Sequence, residues 1–185
     1  MIKIRLYAGL NLKELQLLGK GTQGKVYRID SERCIKIFKK SEVCKEELET
    51  LFIAQKDSHF PKLYDYGENY IIRECIDGIE LDKYLSTHCL TTDISNKILE
   101  LYEAMIKVGY TRFDSAIFHI LITPSGDLKL IDTAKALKKT AIYPQLIISG
   151  LSKLGYKKQF LDFVKNTRPA LYFIWLQYVD KNNKR

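Results

Sequence analysis

Four short stretches of this chain combine residue types that can hold an anion or handle a proton. The first, Gly19-Lys20-Gly21-Thr22-Gln23-Gly24-Lys25-Val26, fits GxGxxGxV. Glycines let backbone amides approach an anion with no Cβ in the way. Lying between two expected strands, the loop suits a hairpin folded over nucleotide phosphates, whereas a dinucleotide fingerprint lies between strand and helix. The second, Cys34-Ile35-Lys36-Ile37-Phe38, sets a lysine among apolar neighbours. It either snorkels from an edge strand or answers a negative charge. The third holds Glu46, Glu47 and Glu49. The fourth, from Gly109 to Ala136, carries Asp114, His119 and Asp132. Taken one at a time, its two aspartates are a loop residue and a strand-end cap; taken in order with the rest, they form a constellation.

Periodicity supplies the elements that must position these residues. Ile2, Ile4 and Leu6 alternate with polar residues, "LQLLGKGTQGKVYRID" suggests two strands about the glycine turn, and "CIKIFK" follows the turn Asp30-Ser31-Glu32-Arg33. Three antiparallel strands are predicted. From Ser41, an expected N-cap, Val43, Leu48, Leu51 and Phe52 recur at helical spacing with acids early in the run,. "PKLYDYGENYIIRECI" predicts another hairpin bending at Gly67-Glu68-Asn69, and "DGIEL" marks a break,. Beyond it Ile94, Ile98, Leu101, Met105 and Val108 share one face of a helix over Thr92 to Val108,. Short strands at His119 to Ile122 and Leu128 to Ile131 flank the turn Thr123 to Asp127. Helices follow near 142–154, 157–166 and 169–179, the last with Pro169 in its first turn,. With no internal repeat or low-complexity linker, the order is strand-rich, then helix-rich, as in an α+β fold.

The 185 residues are 46% hydrophobic, enough to bury a core,. Apolar runs near Ala141 to Leu151 and Ala170 to Val179 are too short to span a bilayer, and Lys3 and Arg5 interrupt any signal-peptide core, so a cytoplasmic protein is expected,. Cys34, Cys44, Cys75 and Cys89 form no CxxC pair and read as reduced, buried thiols,. His59, His88 and His119 are too scattered for a zinc site,. The net charge of +8 is uneven: residues 1–132 hold 19 Lys/Arg against 20 Asp/Glu, residues 133–185 hold 11 against 2. Such a basic third is a solvated face or a surface for an acidic partner, anionic lipid or nucleic acid. The interleaved Tyr172, Phe173, Trp175 and Tyr178 stand at helical spacing and read as core, which disfavours nucleic acid,.

Glycine loop, lysine strand, acidic helix and paired aspartates in this order resemble the protein-kinase-like superfamily, especially compact members related to RIO and Kae1-associated kinases. The motifs cover residues 15 to 140. The resemblance implies a bilobal α+β fold. Residues 1–76 would form an N-lobe of antiparallel sheet plus one helix, and residues 77–185 a reduced helical C-lobe. It implies ATP with Mg²⁺ or Mn²⁺ and transfer of the γ-phosphoryl group to a serine or threonine of a protein, with an acidic substrate suited to the basic third. Gly19, Gly21, Gly24 and Val26 would cover the nucleotide, and Lys36 would hold its phosphates and pair with a helix glutamate. Glu46, Glu47 and Glu49 are the candidates, with Glu47 preferred because Leu48 and Leu51 then face the core. Arg73 would stand at the gatekeeper position, narrowing the adenine pocket or pairing with an acid, and the backbone from Glu74 to Ile76 would bond adenine.

Arg112-Phe113-Asp114 stands where HRD is expected, His119 where that motif has asparagine, and Asp132 where DFG begins. By resemblance Asp114 would orient the attacking hydroxyl, while Asp132 and His119 would hold metal. Four departures stand out. An imidazole suits Mn²⁺ better than Mg²⁺, although His119 could instead bond Asp114 or backbone. Thr133-Ala134 replace Phe-Gly, Ala116 stands where a lysine is usual, and no long activation segment or APE motif follows. These departures favour two other classes, a pseudokinase acting through its basic end and a small-molecule kinase of the aminoglycoside or choline type.

Overall fold

The computed structural model describes residues 6–138 and 140–183; Ile2 and Ile4 of the first expected strand lie outside them. The chain opens with a small hairpin, β1 (Leu6–Tyr7) and β2 (Leu10–Asn11). Then come β3 (Gln16–Lys20), β4 (Gly24–Arg28) and β5 (Arg33–Phe38), the helix α1 (Ser41–Ala54), and β6 (Leu63–Gly67) with β7 (Tyr70–Glu74). The two hairpins expected from the sequence merge into one antiparallel sheet of five strands, ordered β3-β4-β5-β7-β6. β5 and β7 pair along Arg33↔Glu74 to Ile37↔Tyr70, which makes β5 central. A central strand buried on both faces explains the near-continuous apolar reading of Cys34 to Phe38.

Strand alternation puts Lys36 on the same face as Phe38. Phe38 packs with Cys44, Leu51 and Ile71, and Val43, Leu48 and Leu63 edge that cluster, so α1 lies across the face that carries Lys36. Ser41 is the first helical residue and not the cap; Lys40 holds the cap position and gives no side-chain hydrogen bond. Phe52, expected to face inward, is exposed.

"DGIEL" is more than a break. It forms β8 (Ile79–Glu80) and opens α2 (Leu81–Thr87), an element too short to announce itself by periodicity. Next is α3 (Thr92–Lys107), the centre of the second half. Thr91 Oγ1 caps it by accepting from the Ile94 amide at 3.1 Å,. Gly109 ends it at φ +85°, with the Tyr110 amide donating to Met105 and the Gly109 amide to Ile106,. β9 (Ile120–Ile122) and β10 (Leu128–Leu130) join β8 in a three-stranded antiparallel sheet. His119 sits before this sheet in a 3-10 turn over Ile117–His119, not in the strand.

Three helices complete the chain: α4 (Gln145–Lys153), α5 (Lys157–Thr167) and α6 (Pro169–Asn183). α4 begins three residues later than the pattern suggests, because Ala141 is held extended by backbone bonds with Thr111 and Phe113. A large apolar cluster around Ile98, Leu101, Met105, Leu151, Phe160 and Trp175 unites this half. Trp175 is buried as expected, Tyr172 and Tyr178 are half-buried, and Phe173 is exposed. Cys34, Cys44 and Cys75 are buried free thiols, whereas Cys89 is exposed. No helix among the described residues is long and apolar enough to cross a membrane. The fold is α+β, a five-stranded antiparallel sheet with six helices among the described residues.

Candidate functional site

The β3–β4 turn folds back on itself, the Gly21 amide donating to Gly24 O at 2.9 Å. Gly24 is required by the fold, since a Cβ there would overlap the Ile37 carbonyl of β5. Gly19 and Gly21 are not: a Cβ at either meets nothing within 4 Å. Their bareness leaves open the space beneath the loop. Val26 lies across the strands from Lys36, and all four of Gly19, Gly21, Gly24 and Val26 line a cavity of about 630 Å³. Lys36, Asp114, His119 and Asp132 line the same cavity.

Lys36 is 7% exposed and Glu47 1%. Nζ pairs with Glu47 Oε2, donates to Gln23 Oε1 at 3.2 Å and lies 4.0 Å from Asp132 Oδ2. It also sits 4.8 Å from the Phe38 ring centre, a favourable place for a cation. Of the three helix acids, then, Glu47 meets the lysine; Glu46 pairs with Lys138 and Glu49 is exposed. Burial pushes the Glu47 carboxyl above its ordinary value, against the pull of Lys36 and Arg73,. Arg73, also buried, donates from Nη1 to the carbonyl of Ile131, just before Asp132. Glu47 Oε1 and Arg73 Nε are buried with no hydrogen-bond partner among the described residues.

A second link ties α1 to the segment after Asp132. Thr50 Oγ1 and Thr133 Oγ1 are 2.7 Å apart, and Tyr110 donates its hydroxyl to the Thr50 carbonyl at 3.0 Å. Burial raises the Tyr110 phenol, so it remains a donor. Thr133, which replaces an aromatic in the expected motif, thereby becomes a polar tether to the helix that bears Glu47.

Asp114 is held from the other side. The Leu146 amide, in the first turn of α4, donates to its Oδ1 at 2.8 Å, and Arg112 Nη2 lies 3.8 Å from Oδ2. Burial raises the Asp114 carboxyl, while the Leu146 amide and then Arg112 oppose the shift. His119 Nε2 lies 3.9 Å from Asp132 Oδ2. Burial holds this imidazole below its ordinary value, leaving it neutral near pH 7 with a lone pair to give,. Among the described residues no group of three or more His, Cys, Asp or Glu side chains could hold a metal by itself. Asp132 and His119 supply two donors, and a cation here would take its remaining ligands from solvent or from an anionic ligand.

Glu74 and Ile76 are not brought to this cavity. The Glu74 amide donates to Lys62 O at 2.8 Å, its carbonyl accepts from Cys34 Sγ at 3.6 Å, and its carboxylate pairs with Lys129 at 2.6 Å. Arg73 is the β7 residue that lines the cavity. The contacts made by Gln23, Thr50 and the Leu146 amide have no signal in the sequence: none of the three belongs to an apolar period, and each acts through a neighbour distant in sequence. The arrangement can hold a polyanion between a glycine loop and a lysine, place a cation on one carboxylate and present a second carboxylate to a nucleophile. No protein-family model and no curated protein matches this chain, so this chemistry rests on its own geometry.

Proposed function

We propose that the chain is a minimal, bilobal protein-kinase-like phosphotransferase, moving the γ-phosphoryl group of ATP to a serine or threonine hydroxyl of a protein. Residues 1–76 would form the nucleotide-binding lobe and residues 77–185 the reduced helical lobe. The observation that carries the proposal is the convergence of Gly19, Gly21, Gly24, Val26, Lys36, Asp132 and Asp114 on one cavity of about 630 Å³, with Glu47 pairing Lys36. In this reading the bare faces of Gly19 and Gly21 let the loop close on phosphates. Glu47 holds Lys36 Nζ where it can reach them, and Arg73 and Thr133 keep Asp132 in register with α1. Mg²⁺ or Mn²⁺, held by Asp132 and His119, would neutralise charge on the phosphate oxygens. Asp114, with one oxygen fixed by the Leu146 amide, would orient the acceptor hydroxyl and take its proton as its oxygen bonds the γ-phosphorus and the bond from that phosphorus to the β–γ bridging oxygen breaks, releasing ADP.

Transfer from γ-labelled ATP, with Mg²⁺ and separately with Mn²⁺, tests this. Wild type should label itself or an added acceptor protein. Asp132→Asn should abolish transfer, and Asp114→Ala should slow it by about 10²- to 10⁴-fold. Unchanged turnover in Asp132→Asn would sink the assignment. A second reading, a nucleotide-binding module without transfer, is favoured by the engaged backbone of Glu74 and the tethered carboxylate of Asp114. It predicts thermal stabilisation by ATP with no label transferred.

A further inference from the structure

A second concavity, of about 330 Å³, lies beside the first. Three segments wall it: the loop tip at Thr22 and Gln23, the entry to α1 from Lys39 to Glu46, and the stretch Ala134 to Lys138 just after Asp132. Four lysines line it, Lys39, Lys40, Lys135 and Lys138, against the single carboxylate of Glu46. Lys138 pairs with Glu46, and Lys39 Nζ donates to the Thr22 carbonyl at 2.8 Å. Lys39 and Lys138 are therefore held at the walls. Lys40 and Lys135 have no acidic partner among the described residues. A concave wall with one sign of charge in excess concentrates its field on whatever enters. The uncapped first turn of α1 adds to the same sign but does not carry the site,.

We propose that this second cavity binds a phosphate-class oxyanion, either a phosphomonoester or a pyrophosphate-like group, separately from the ligand of the first cavity. A doubly charged group with several acceptor oxygens answers a cleft lined by four lysines and one carboxylate, where a lone carboxylate would leave charge unbalanced,. Occupancy is coupled to the first cavity through named atoms. Gln23 and Lys135 line both cavities, and Gln23 Oε1 accepts from Lys36 Nζ at 3.2 Å. An oxyanion here would fix the loop tip, the helix bearing Glu47 and the segment following Asp132 against one another. By reciprocity, whatever factor it applies to the affinity of the first cavity's ligand, that ligand applies to the oxyanion.

Inorganic pyrophosphate, titrated calorimetrically into the full chain, separates the two cavities. Of the variants to compare, Lys36→Ala alters a residue of the first cavity alone, and Lys40→Ala/Lys138→Ala alters two residues of the second alone. The expected result is that the double variant weakens binding about tenfold or more, while Lys36→Ala retains it. Wild-type affinity in the double variant, or affinity lost only in a Lys36→Ala protein that still unfolds cooperatively, would put the anion in the first cavity and overturn the proposal. Absence of binding by wild type that still unfolds cooperatively would overturn it too. A phosphoserine peptide that competes with pyrophosphate assigns the site to protein-borne phosphate; a peptide that fails to compete, with pyrophosphate bound, assigns it to a free phosphate ester. The readout needs no phosphoryl transfer, so it stands or falls apart from the kinase assignment.

Discussion

The helical half and the sheet half of this protein bury different things. Around α3 the interior is apolar, from Leu81 and Leu85 through Leu101 and Met105 to Phe160 and Trp175. Beneath the sheet the apolar cluster is small, centred on Phe38, Cys44, Leu51 and Ile71. Beside it lie Lys36, Glu47 and Arg73, three charged residues buried close together; the carboxylates buried elsewhere, Asp57 and Asp114, are each held by hydrogen bonds of their own. Removing an ion from water costs several kcal/mol even after relaxation, and pairing returns that only with good geometry. Here Glu47 Oε1 and Arg73 Nε have no hydrogen-bond partner among the described residues. A sheet half selected for stability alone would carry apolar side chains in those places, as its partner half does. The contrast therefore separates the part that supplies folding free energy from the part that spends it to hold charges where a ligand can meet them.

Glu47→Ala breaks the contrast most severely. It leaves the buried Lys36 without its paired carboxylate and takes a neighbouring negative charge from Arg73, and should destabilise the protein by about 3–5 kcal/mol in urea unfolding. In the proposed function it also abolishes transfer. Lys36→Met/Glu47→Leu removes the desolvation penalty with the pair, and should recover most of that stability while remaining inactive. In the other half, Leu101→Ala should cost about 2–5 kcal/mol by leaving a cavity, with nucleotide affinity unchanged in the fraction that folds. If Glu47→Ala proved as stable as wild type, the buried charges would not be held at a cost, and the distinction between the halves would fail.

How much of this was legible in the sequence follows the range over which each signal acts. Alternation in β5 put Lys36 on one face, and helical spacing in α1 favoured Glu47 over Glu46 and Glu49; both are local periods, and the ion pair agrees with them. The glycine loop was legible as a turn between strands, although the spacing did not separate Gly24, which the Ile37 carbonyl demands, from Gly19 and Gly21, which nothing in the fold demands. The start of α4 was misjudged because backbone bonds from Thr111 and Phe113 hold Ala141 extended, and local propensity has no access to that contact. Cys89 is exposed where burial is expected, and the short α2 gives no signal in the sequence, for a related reason: a brief segment carries too little pattern to show its type or which way it faces,. Arg73 reaching the Ile131 carbonyl and Thr50 meeting Thr133 lie wholly beyond such reasoning, because single polar residues far apart in sequence have no period.

The Thr50–Thr133 contact permits a smaller intervention in the same contrast, one that loosens the sheet half from the helical half without stranding a charge. Thr133→Val keeps shape but leaves the Thr50 hydroxyl one partner short, and should cost about 1 kcal/mol. Thr50→Val/Thr133→Val should cost less than the single change, since no polar group is left waiting. If the tether keeps Asp132 in register with α1, Thr133→Val should also raise KM for ATP more than it lowers kcat, and Thr133→Ser should restore both. Equal loss in Thr133→Val and Thr133→Ser would assign the position to packing alone.

The gentlest probe is pH, because His119 sits on the boundary between the halves and faces Asp132, Glu80, Lys36 and Arg73. Burial holds its folded value below the ordinary imidazole value of about 6.5 that it regains on unfolding,. The unfolded chain thus takes up this proton first as pH falls. The associated stability is complete above the unfolded value and is lost as pH descends toward the folded one. Urea midpoints should drop as pH falls through and below about 6.5, the ordinary imidazole value, and His119→Asn should flatten that drop,. Asp114 acts with the opposite sign: its raised folded value means the folded chain keeps a proton longer, so its contribution is present in acid and is lost as pH rises through the carboxylate range,. That window begins near the ordinary carboxylate value of about 3.9, so the midpoint below which each variant departs from wild type tells the two groups apart. In the transfer assay the same His119→Asn change exchanges an imidazole for a hard amide oxygen, and should move metal preference from Mn²⁺ toward Mg²⁺. An unaltered preference would remove His119 from the metal's surroundings and leave Asp132 as the protein's sole donor among the residues proposed for it.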